Sequence, residues 1–195
     1  MQKYNTRYVL SILVPDRVGI LSSITSAITD LGANIEGISQ TVVQGYFTVI
    51  LMAGFKEKIA EDSVCKAVLE RFHEGEASVI VKPFDPAAPV HAKGDRYILT
   101  MSGKDQPGIL KKLTTYLAKK NINIEDLFFR ITGENVTHIG EVTVPLILDI
   151  KQPQDELSDL MGALGLTISL QHENFFRATN EIGAIQQILK ESHYV

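Results

Sequence analysis

An aspartate three residues ahead of a glycine, Asp16 and Gly19, stands where an apolar strand pattern gives way to a helical one. The same pair returns 89 residues later as Asp105 and Gly108. The first turn of a helix leaves N–H donors unpaired and carries a partial positive charge, so it can hold a carboxylate. Glycine at that point lets a ligand approach the backbone closely. Asp16 and Asp105 can accept hydrogen bonds from an ammonium group, and Asn34 and Asn123 offer both a donor and an acceptor. A zwitterionic amino acid needs this combination. Each residue also has a structural reading. An aspartate before a helix can cap it, a glycine can permit close helix–sheet packing, and asparagine is favoured at a turn-to-strand junction.

These residues belong to a longer duplication. Arg7, Tyr8, Leu10, Asp16, Gly19, Ile20, Leu21, Thr25, Asn34, Ile35 and Glu36 recur at Arg96, Tyr97, Leu99, Asp105, Gly108, Ile109, Leu110, Thr114, Asn123, Ile124 and Glu125. Repetition of this kind sets the architecture. Tyr8 to Val14 alternates as a strand, and Ile20, Ile24 and Ile28 give a helix stripe with Leu21 and Leu31 beside them, ending at Gly32. Asn34 to Val43 and Tyr46 to Met52 form a hairpin about Gln44-Gly45. Ile59 to Glu74 reads as a second helix closed by Gly75, and Ala77 to Lys82 as a fourth strand. The second unit repeats the order. Its hairpin pairs 123–132 with 138–148 around Gly133-Glu134-Asn135, its second helix spans 153–164, and its last strand runs from Leu166 to His172.

The fold class is therefore α+β. Two ferredoxin-like βαββαβ units each have a four-stranded antiparallel sheet with both helices on one face. The expected domains are 1–84 and 96–173, joined by a proline-bearing linker at 85–95. A helical extension follows at 174–195, with a helix over 179–190. Asp, Gly and Asn are expected to gather at one end of each sheet.

Bulk properties narrow the function. The chain has 195 residues, 45% hydrophobic and 22% charged, with net charge −4. A negative chain lacks the clustered Lys and Arg that bind phosphate backbones, so no direct nucleic-acid binding is expected. No run of 18 apolar residues predicts a membrane span. The first residues, MQKYNTRYVL, read as neither a secretory signal nor a transit peptide. The single cysteine, Cys65, excludes an internal disulfide, and the cytoplasm is the expected compartment.

The stretches Asp16-Arg17-Val18-Gly19-Ile20-Leu21 and Asp105-Gln106-Pro107-Gly108-Ile109-Leu110, with Asn34-Ile35-Glu36 and Asn123-Ile124-Glu125, resemble the ACT domain, a small-molecule sensor module. The resemblance covers nearly all of residues 7–173. Two such units with no catalytic domain resemble the glycine cleavage system transcriptional repressor family. That resemblance implies side-by-side pairing of ACT units into an eight-stranded sheet, with an amino acid held at the seam. It implies ligand contacts from Asp16, Gly19, Ile20, Leu21, Asn34 and Ile35, and from Asp105, Gly108, Ile109, Leu110, Asn123 and Ile124. It also implies a small amino acid such as glycine or serine as ligand, a homodimer, and regulation through a partner protein. Some amino-acid-binding relatives carry a histidine two residues before the aspartate, where this chain has Val14 and Gly103.

An enzyme is not expected, nor a cofactor or metal. Cys65 reads as a buried structural thiol inside a helix. His73, His91, His138, His172 and His193 are scattered without metal-ligand spacing and read as surface or packing residues. Nucleophile-elbow, P-loop and dinucleotide motifs are absent. Two other readings stand beside the sensor: a ligand-free interaction or dimerisation module, and a regulatory fragment of an amino-acid or one-carbon enzyme.

Overall fold

The alternation of Tyr8, Leu10, Ile12 and Val14 becomes a central strand, β1 (Thr6–Pro15), whose inward residues are buried. In the computed structural model, which describes residues 4–87 and 93–179, the chain forms two compact units. Unit 1 continues with α1 (Ile20–Asp30), β2 (Ala33–Val43), β3 (Tyr46–Phe55), α2 (Glu61–Leu69) and β4 (Ser78–Pro83). Unit 2 has β5 (Gly94–Lys104), α3 (Ile109–Lys119), β6 (Asn123–Thr132), β7 (Asn135–Pro145), α4 (Lys151–Gly162) and β8 (Leu166–His172), followed by α5 (Glu173–Thr179). The strand orders are β2-β3-β1-β4 and β6-β7-β5-β8, with every pairing antiparallel. This is the ferredoxin-like arrangement expected twice over.

Each helix is where its apolar spacing places it. Ile20, Ile24, Ala27 and Ile28 bury the inner face of α1, and Ile109, Leu113 and Leu117 that of α3. Leu21 and Leu110, each one residue after the leading isoleucine, are exposed. The β2–β3 hairpin turns on Gln44 and Gly45, both at positive φ (50° and 77°), as a two-residue turn matched to the strand twist requires.

Several boundaries differ from the sequence expectation. Helix α2 ends at Leu69 rather than Glu74, because Arg71 and Phe72 donate to carbonyls only three residues back and tighten the chain into turns. The second hairpin tip is the pair Gly133-Glu134, and Asn135 already pairs with Thr132. Strand β7 therefore begins at Asn135, and it ends at Pro145 rather than Leu148. Helix α4 starts at Lys151. Pro153 sits in its first turn, where the missing N–H has no helical partner to lose. Of the helix expected over 179–190, Thr179 is the last residue of α5, and 180–190 lie outside the described residues. Cys65 is only half-buried, and its Sγ lies 3.8 Å from the Val79 carbonyl oxygen.

Candidate functional site

Gly19 and Gly108 are themselves the helix N-caps, with φ of 93° and 92°. Neither helix has a side-chain capping bond, so Asp16 and Asp105 are not caps. Left-handed backbone is what glycine adopts without steric cost, which explains its recurrence. Each loop is anchored at its start. The Asp16 N–H donates to the Gly45 carbonyl and the Asp105 N–H to that of Glu134, both at 2.8 Å, which ties the loop to the tip of the adjacent hairpin. The second loop residue anchors the other side. The Arg17 Nε lies 3.0 Å from Glu76 Oε1, while Gln106 Nε2 donates to the Leu164 carbonyl at 2.7 Å. Both aspartates are exposed, and neither side chain makes a hydrogen bond or ion pair with a described residue.

In unit 2 this loop borders a cleft of about 170 Å³. Its walls are Asp105, Gln106, Gly108, Ile109 and Leu110 on one side and Phe129, Ile131, Val136 and His138 on the other. Four of the residues proposed from the sequence, Asp105, Gly108, Ile109 and Leu110, thus meet in one place. The first-turn N–H groups of α3 have no helical carbonyl behind them, and no side chain caps them. An anion at that point would meet donors and a favourable dipole.

His138, which the scattered spacing of the histidines did not single out, is part of the same wall. It is 3% exposed, and its Nδ1 is buried without a hydrogen-bond partner among the described residues. Burial lowers its pKa, and the charge of Asp105 works in the opposite direction. The Phe129 ring lies 5.9 Å from the imidazole, tilted by 32°. A register comparison supplies the signal that motif spacing lacks. His138 faces Met101 across β5–β7, as Val49 faces Ile12 across β1–β3, so the histidine replaces an apolar residue of the other repeat.

The equivalent corner of unit 1 is differently filled. Val14, Phe47 and Val49 stand where unit 2 has Gly103, Val136 and His138, and all three belong to the unit 1 core. A side chain at Gly103 would collide with Leu166, whose unit 1 counterpart is the smaller Ala77.

Asn34 and Asn123 do not join the aspartates within a unit. Asp16 follows the end of β1, whereas Asn34 pairs with Gly54, which pairs with Arg7 near the start of β1. Helix α1 carries the chain back along the sheet by about 1.5 Å per residue, so the asparagine emerges at the opposite end. The expectation that Asp, Gly and Asn gather at one end is corrected accordingly. Asn34 Nδ2 donates to the Ile35 carbonyl at 3.3 Å and Asn123 Nδ2 to Glu125 Oε1 at 2.8 Å, while Ile35 and Ile124 pack on their cores. The repeated Arg and Glu are structural. Glu36 and Glu125 occupy β-bulges. Arg7 pairs with Glu36 at 2.9 Å in unit 1, past Gly54. In unit 2 Thr143 replaces that glycine and donates to Glu125 at 2.7 Å, so Arg96 turns to Glu141.

Two βαββαβ units, each opening its first helix on a left-handed glycine that follows an exposed aspartate, define a tandem ferredoxin-like class of protein. The ACT domain model matches residues 8–60 and 97–164, more than half of the chain. The chain belongs to the ACT domain family and is an ACT-domain regulatory protein.

Among curated relatives, a UPF0237 protein of Methanosarcina mazei is 41% identical over 49 residues, 25% of this chain and 53% of its own length. The chain thus spans about half the length of that relative. A UPF0237 protein of Corynebacterium glutamicum is 34% identical over 86 residues, 44% of this chain and 97% of its own length. Two solved structures cover both units. A protein of unknown function from Galdieria sulphuraria superposes with a TM-score of 0.73 at 22% identity, covering 86% of this chain and 98% of that one. A proposed glycine cleavage system transcriptional repressor gives 0.62 at 19%, covering 85% and 96%. At these identities the likeness is one of fold.

Proposed function

We propose that this chain is an amino-acid sensor whose binding site is the cleft at the start of α3. The observation that carries the reading is the meeting of an unengaged Asp105 carboxylate with the uncapped first turn of α3 at the mouth of a mostly apolar cleft. The carboxylate of an amino acid suits the helix N–H groups, and its ammonium suits Asp105. Gly108 leaves the backbone open to close approach. Ligand binding regulates only if it favours one of two states of the protein or its assembly. Pairing of ACT units in a homodimer is the proposed second state. Asn34 and Asn123, at the far ends of their sheets, would then contribute from a neighbouring unit. A role in controlling glycine cleavage genes through a partner protein fits this scheme. Its support is the two-unit organisation shared with the proposed repressor and the net charge of −4.

Isothermal titration of the full chain with a panel of amino acids tests the proposal. Binding of at least one below millimolar concentration, weakened about 10–100-fold in Asp105→Ala, is expected. A panel in which none binds sinks it.

An interaction role for unit 1 has its own observation. Ile50 and Ile80 both pair with Ser11 on the sheet face away from the helices, and both are exposed, as is Leu13 on the same strand. Light scattering of Ile50→Lys against wild type checks whether that face holds subunits together. An unchanged mass would assign assembly elsewhere.

A further inference from the structure

The amino-acid reading leaves open what the cleft asks of the ligand's own side chain. Phe129, Ile131, Val136, Ile109 and Leu110 give it apolar walls. Its volume of about 170 Å³ far exceeds the roughly 10–15 Å³ of such space that one water needs. Bare glycine would leave most of this wall uncovered. An apolar side chain would cover it but would seal in His138, whose Nδ1 already lacks a partner. A buried polar group left unpaired is costly, and a site that offers one discriminates against ligands that cannot engage it.

Resting on the amino-acid reading above, we propose that His138 selects the ligand: the unit 2 cleft takes an α-amino acid whose side chain carries a hydroxyl or amide. The body of such a side chain packs between Phe129 and Ile131, and its polar tip meets the imidazole. Of glycine and serine, the choice falls on serine, with threonine filling the walls better. A given nitrogen of a neutral imidazole is a donor or an acceptor according to the tautomer, and a hydroxyl or an amide can partner either form. Burial favours that neutral form. Unit 1 has Val49 at this place and carries no such selector.

Threonine and valine have nearly the same shape and differ by a hydroxyl, so they isolate the effect. Titrating the full chain with threonine, valine and glycine, threonine should bind about tenfold or more tighter than valine. In His138→Val, which copies unit 1, the two should fall within about twofold of each other. Equal affinities in the wild type, glycine as the tightest ligand, or a threonine preference that survives His138→Val would each overturn the proposal. All three leave amino-acid binding itself intact. Failure of every amino acid to bind removes the sensor reading and the selector with it. The wild-type comparison needs no variant, so a poorly folding His138→Val does not shield the proposal.

Discussion

Unit 1 and unit 2 agree in backbone and disagree in what the backbone encloses. Strand order, pairing and bulge position coincide, and the capping glycines differ by one degree in φ. The loop-to-hairpin bond is 2.8 Å in both. Yet the corner formed by Val14, Phe47 and Val49 in unit 1 is formed by Gly103, Val136 and His138 in unit 2, where the last two line a cleft with Phe129. The Asp-x-x-Gly motif therefore encodes how the chain enters a helix. On the proposed amino-acid reading, whether a ligand can follow is decided on the neighbouring strand, by the bulk and polarity of residues that face α1 or α3.

The largest effect is expected from exchanging that bulk. Phe47→Val removes a buried ring from the unit 1 core and should cost about 2–4 kcal/mol of stability, read from urea unfolding. The reverse exchange, Val136→Phe, puts the ring into the unit 2 cleft. It should abolish amino-acid binding while the fold persists, as titration and circular dichroism together report. Undiminished binding in Val136→Phe would mean that the cleft is not the site.

The aspartates separate the units next. Asp105→Ala should weaken binding by about 10–100-fold, the scale of a charged hydrogen bond, while Asp16→Ala leaves it unchanged. Neither carboxylate caps its helix. Each substitution should therefore shift stability by less than about 0.5 kcal/mol, not the roughly 0.5–2 kcal/mol of a lost cap. A loss of cap size in thermal unfolding would restore the structural reading of these residues.

Much of this fold is legible in the residues. The duplication, the four-residue spacing of Ile20, Ile24 and Ile28, and the turn chemistry of Gln44-Gly45 all act over short range, and each element forms as they direct. That Asp105, Gly108, Ile109 and Leu110 lie together is legible for the same reason, since one loop and the helix start that follows it position all four. His138 and Phe129 were not legible. They reach the cleft through strand pairing, from residues distant in sequence, and the two repeats align there only once hairpin register is known. The misplacement of Asn34 has the same root. A recurring motif records that residues travel together, but the helix between Asp16 and Asn34 separates them by the length of the sheet.

His138 should also give unit 2 a pH dependence in the histidine range that Val49, its unit 1 counterpart, cannot supply. Burial lowers its pKa, with Asp105 acting against the shift. As pH falls through the usual histidine value of about 6.5, the unfolded chain takes up the proton first, so stability drops until the lowered folded-state pKa is reached. His138→Val should flatten the stability profile over that window and leave the profile above it parallel to wild type. A slope that survives the substitution would trace the effect to another group.

A modest effect is expected in the helix layer, where the units differ again. Tyr116 and Lys120 on the α3 side both reach Glu156 of α4, at 3.0 and 2.8 Å, while the matching positions of unit 1 hold the apolar Ala27 and Leu31. Lys120, with Gln152 and Tyr116, holds the Glu156 carboxyl down at about 2, and burial with the carboxylate as acceptor pushes the Tyr116 hydroxyl up. A carboxyl lowered in the folded state contributes stability that is complete above its unfolded value of about 4.5 and fades as pH falls toward 2. Removing one hydroxyl with Tyr116→Phe should cost about 0.5–1.5 kcal/mol at neutral pH. That difference should shrink as pH approaches 2, where the folded carboxyl takes up its proton. A difference that stays constant down to pH 2 would mean that the ring's packing, not its bond to Glu156, is what Tyr116 contributes. The helix layers of the two units would then be equivalent after all.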